Sequence, residues 1–76
     1  MDHTKVRVNG ILFVAPNATA EHAVFIVRNF RTPDTRPLAI TRVQDLFKVD
    51  KRRAFLIARV LWNQAVAAQR QRMAVA

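Results

Sequence analysis

Polar and apolar residues alternate over Lys5–Asn9, an apolar run follows over Ile11–Ala15, and helical spacing takes over after it. Val6-Arg7-Val8 and Ile11-Leu12-Phe13 flank Asn9-Gly10. Both central residues tolerate the positive φ of a type I′ turn, so the pattern predicts a β-hairpin over about 4–15. A two-residue loop sets Val8 against Ile11 and Val6 against Phe13 on one face. Arg7 then opposes Leu12, and Lys5 opposes Val14, on the other. A hairpin this short is not stable alone, so the rest of the chain must cover its apolar face.

Residues 18–30 fit either a helix or a third strand. As a helix, Ala20, Ala23, Val24, Val27 and Phe30 share one face. Asn17 or Thr19 can cap it, with Glu21 in the first turn and Arg28 and Arg31 near the end, which suits the macrodipole. As a strand, His22–Phe30 is rich in Val, Ile and Phe and extends the hairpin. Helix is the preferred reading. The prolines of Thr32–Pro37 mark a loop. Thr35 is placed to cap a helix that opens near Pro37 and runs over 38–47, burying Ala39, Val43 and Leu46 or Phe47. Lys48-Val49-Asp50 is a break, and Asp50 is a good N-cap for the next helix.

A long helix over 51–69 is the clearest element. At 100° per residue Arg52, Arg59, Asn63 and Arg70 form one narrow polar stripe. Ala54, Ile57, Ala58, Leu61, Ala65 and Ala68 lie opposite, with Phe55, Trp62 and Val66 beside the stripe. A helix with so little polar surface is either the central core element or is covered by a partner. Arg70–Ala76 is expected to fray. The pattern makes an α+β fold: an N-terminal hairpin and a mainly helical remainder in one small domain, residues 1–76.

Val43, Phe47, Val49, Ala54 and Ile57 stand at the spacing of the buried positions in a helix-turn-helix unit. This stretch resembles that motif, and the resemblance implies DNA binding by the start of the second helix. Two positions depart from it. Gln44 stands where a small residue usually packs between the helices, and Lys48 replaces the usual turn glycine.

Charge sharpens the picture. Of the net +8, residues 1–27 contribute nothing, because Lys5 and Arg7 balance Asp2 and Glu21. The remainder sets eleven cations against Asp34, Asp45 and Asp50 and carries the whole excess. Lys51-Arg52-Arg53 opens the long helix, where the macrodipole is already positive and cations are disfavoured. A nearby phosphate relieves that conflict. Arginine outnumbers lysine ten to three, which favours bidentate contact with phosphate and guanine, although a GC-rich genome gives the same bias. Phe residues do not alternate with cations as an RNA-stacking strand requires.

The composition also excludes. The chain has no Ser, Cys or Tyr, so serine and cysteine nucleophiles, thiolate metal sites and disulfides are out. His3 and His22 lack metal-ligand spacing, and one glycine cannot build a phosphate-cradling loop. No enzyme, cofactor or metal is expected. Ile11–Ala15 is too short and interrupted for a signal peptide, although Ala18-Thr19-Ala20 has a cleavage-site shape. No run is long enough to span a bilayer, and a cytoplasmic location is expected.

The expectation is a small DNA-binding regulator, with RNA as a secondary target. Arg42, Lys48, Lys51, Arg52, Arg53 and Arg59 are its contact residues, and Phe55, Trp62 and Val66 are its surface for a homodimer or partner. The alternative is a protein-interaction module whose basic face and apolar long helix bind an acidic partner.

Overall fold

A computed structural model describes residues 3–75, arranged as β1 (Lys5–Val8), β2 (Ile11–Val14), α1 (Ala20–Phe30), α2 (Arg36–Phe47) and α3 (Lys51–Val75). The fold is α+β: a two-stranded antiparallel hairpin followed by three helices. The hairpin register pairs Lys5 with Val14, Val6 with Phe13, Arg7 with Leu12 and Val8 with Ile11. Asn9 and Gly10 take φ of 52° and 79°, as a turn of this kind demands. A Cβ on Gly10 would meet nothing within 4 Å, so conformation rather than space calls for glycine there. Val6 and Val8 are buried against the helices and Phe13 is half-buried. Ile11, expected on the covered face, is instead 58% exposed, because β1 rather than β2 is the strand laid against α3.

Residues 20–30 are helical, which settles the choice between helix and third strand. Thr19 is the cap: its Oγ1 accepts from the His22 amide at 3.2 Å, and His22 Nδ1 accepts from the Thr19 amide at 3.1 Å. The imidazole does here what a glutamate side chain usually does in a capping box. Thr35 stands before α2 but does not cap it. Its hydroxyl donates back to the Asn29 carbonyl at 2.9 Å and so joins the α1–α2 loop to the end of α1. Pro37 sits in the first turn of α2, where a missing amide hydrogen costs nothing.

The core gathers Val6 and Val8, Ile26 and Phe30 of α1, Ala39, Ile40, Val43 and Phe47 of α2, and Ala54, Ile57, Ala58 and Leu61 of α3. All three helices pack pairwise. Phe30 is the aromatic hub, with its ring centroid 5.4 Å from Phe55 and 6.3 Å from Trp62. Such tilted pairs suit the aromatic quadrupole. Arg36 closes the hub by stacking 4.9 Å over Phe30 while its Nε donates to the Phe30 carbonyl at 2.9 Å.

Two faces differ from expectation. On α1 the buried side chains are Ile26 and Phe30, while Val24 is 58% exposed. Of the expected face Ala20, Ala23, Val24, Val27 and Phe30, the helix buries Phe30, half-buries Ala23 and Val27 and leaves Ala20 and Val24 exposed, so it is rotated toward Ile26. α3 runs on through Arg70 to Val75 instead of fraying; Ala76 lies outside the described residues. Its 25 residues span about 37 Å, nearly the 39 Å long axis of the molecule.

Candidate nucleic-acid interface

The turn between α2 and α3 is built by one residue in an unusual conformation. Lys48 has φ 57° and ψ 48°, the left-handed region, and its amide donates to the Gln44 carbonyl at 2.9 Å. Helices commonly end this way, usually with glycine, and a lysine there bears the steric cost of its Cβ. The left-handed turn reverses the chain tightly enough for Val49 to tuck in and Asp50 to start α3. Around it Val43, Phe47, Ala54 and Ile57 are buried, and Val49 and Gln44 are half-buried.

Asp50 organises the entry to α3. Its Oδ1 accepts from the Arg53 amide at 2.7 Å, and its Oδ2 pairs with the Arg53 guanidinium at 2.8 Å. The Arg53 backbone hydrogen bond, helped by the Arg53 and Arg52 charges, holds the Asp50 carboxyl below its ordinary value of 3.8. The free end of the helix is thereby occupied by the protein's own carboxylate. Arg53 is tied to it.

The other predicted cations divide in two. Lys48, Lys51 and Arg52 are exposed, and among the described residues none of them forms an ion pair. They sit together at the α2–α3 junction. Arg59 stands two turns beyond Arg52 on the same stripe, about 10 Å away, with its guanidinium 5.9 Å from the Phe55 ring. Arg42 is turned to α1, 5.0 Å over the Phe25 ring, and stands apart from the junction group.

Phe55 and Trp62 are half-buried, and each spends ring surface on Phe30 of α1. Val66 is half-buried further along α3. Among the described residues no three His, Cys, Asp or Glu side chains gather as a metal-binding group, and no helix is long and apolar enough to cross a membrane.

One feature involves none of the contact or interface residues predicted from sequence. An open groove of about 630 Å³ runs between α1 and the second half of α3. Arg28, Arg31 and Arg72 stand at it, together with alanines of both helices, Val24 and Val27 of α1 and Leu61 of α3. A helix that carries two overlapping apolar stripes, as α1 does with Ala20/Val24/Val27 and Ile26/Phe30, was the available signal.

No family model, no curated protein and no solved structure matches the chain.

Proposed function

We propose that the protein binds duplex DNA as a small transcriptional regulator, with the α2–α3 pair as its reading unit. The observation that carries this reading is the exposed group Lys48, Lys51 and Arg52, none of which forms an ion pair among the described residues, beside a turn whose buried positions match helix-turn-helix spacing. Because Asp50 already satisfies the start of α3, phosphate is met by side chains rather than by the helix end. Lys48 and Lys51 act as point charges on the backbone. Arg52 and Arg59 carry planar forks along one stripe, suited to phosphate or to a guanine edge. Arg42 contributes at longer range, and Arg53 chiefly fixes the cap. A DNA-binding role requires a compartment that holds DNA, and the proposal includes a cytoplasmic location.

Titration of a labelled short duplex at two salt concentrations tests this. Wild-type affinity is expected to fall steeply with salt. The double variant Lys51→Gln, Arg52→Gln should bind at least about tenfold more weakly, with a salt slope shallower by about two. No binding at low salt, or undiminished binding by the double variant, rejects the reading. Tighter binding of a single-stranded RNA of equal length moves the target class to RNA.

A second reading, an interaction module for an acidic protein, is favoured by one observation, the groove between α1 and α3.

A further inference from the structure

The stripe of small and apolar residues that α3 buries in its first half does not end there. Ala54, Ile57, Ala58 and Leu61 meet the core, and Ala65 and Ala68 continue the same line as half-buried walls of the groove. α1 supplies the facing wall with Ala20 and Val24, which its rotation leaves exposed, and with the half-buried Val27, which also packs against the core. The two walls run about eleven residues each, or about 16 Å, the length of three helical turns. Alanine on both sides lets a third backbone come close.

Charge says what fits. Arg28, Arg31 and Arg72 are exposed at the groove and, among the described residues, make no ion pair or ring contact, whereas Arg36, Arg42, Arg53 and Arg59 each have a partner. Among the described residues no acidic side chain lines the groove, α3 contains none, and Glu21 is the one carboxylate on α1. A second copy would bring its own arginines and a net +8 to a surface that is already cationic. A helix with an apolar stripe and glutamate or aspartate flanks brings the opposite sign along with the matching shape.

We infer that the α1–α3 groove is a docking site for an amphipathic helix of about three turns with acidic flanks, presented by an acidic partner protein. The occupant lays its apolar stripe over Val24, Val27, Ala65 and Ala68, and its carboxylates meet Arg28, Arg31 and Arg72. This inference takes the second reading as its ground and gives it a place and an occupant. It does not depend on DNA contact at the α2–α3 junction.

The experiment uses two synthetic helical peptides with the same leucine stripe, one flanked by glutamates and one by lysines. Binding to the full chain is monitored by anisotropy and by the methyl signals of Val24, Ala65 and Ala68. The glutamate peptide should bind at least about tenfold more tightly than the lysine peptide, with those methyls shifting and the preference weakening as salt rises. Arg28→Glu with Arg31→Glu should reverse the preference. Val24→Glu, at an exposed position where the fold tolerates it, should abolish glutamate-peptide binding while the circular dichroism stays unchanged. Lys51→Gln with Arg52→Gln should leave peptide binding intact, so loss of DNA binding and loss of docking are read separately. Absence of glutamate-peptide binding, equal binding of both peptides, or methyl shifts confined to another surface overturns the inference. So does sedimentation as a dimer in which the same methyls are covered by a second copy.

Discussion

The two halves of α3 carry the same stripe and have opposite fates. From Lys51 to Leu61 it meets β1, α1 and α2, and Ala54, Ile57 and Ala58 are fully shielded from solvent. Beyond Leu61 none of the described side chains is buried, and Ala65 and Ala68 face the groove. What separates them is the supply of neighbours. Periodicity states which face of a helix seeks cover; the lengths and crossings of other elements decide where cover is found.

That contrast breaks first at the core. Ile57→Ala should cost about 3 kcal/mol in urea unfolding, because the transfer loss and the cavity add. Val66→Ala, one helix half away, should cost under about 1 kcal/mol. Equal costs would mean that the second half is packed as tightly as the first. A smaller effect belongs to the turn that launches the well-covered half. Lys48→Gly should stabilise by about 1 kcal/mol, since glycine relieves the left-handed strain at φ 57°. A loss on that substitution would show that the lysine side chain supports the turn.

The smallest effect is a dependence on pH. The folded carboxyl of Asp50 lies below its ordinary value of 3.8, so the cap contributes stability above that value. The contribution is lost as pH falls through 3.8 toward the lower folded value. Exchange of the Arg53 amide should accelerate over that window ahead of global unfolding. Asp50→Asn should keep a cap and remove the dependence on pH.

Local chemistry was legible and tertiary choice was not. The hairpin register could be read from Asn9-Gly10 and alternation because both act within a few residues. Asp50 as a cap and the cluster Lys48–Arg53 were readable for the same reason. Thr19 was one of two candidate caps, and nothing in the chain marked His22 as its reciprocal partner. Thr35 looked like a cap but found a better acceptor in Asn29, six residues back. The rotation of α1 was hidden because either of two stripes could face inward, and Phe30 belongs to the hub only once Phe55 and Trp62 meet it. The length of α3 could have been read from its alanines, glutamines and arginines, all good helix formers with no glycine or proline among them. The groove left one trace in the sequence, the two overlapping apolar stripes of α1, but its place is set only where α1 and α3 come together.

Because α3 is unbroken, its two ends are also locked in phase. From Arg52 to Ala68 is sixteen residues, which at 100° per residue sets the two side chains about 160° apart around the axis and about 24 Å apart along it. A nucleic acid at the start of the helix and a guest in the groove would therefore sit on opposite sides of one rod. They would not collide. Their influence on each other would pass through the field: an acidic guest cancels part of the +8 and lowers the attraction for phosphate most at low ionic strength. The same helix that joins the two surfaces mechanically would make them cooperate in charge if both guests were of opposite sign, and compete when, as here, both are anionic.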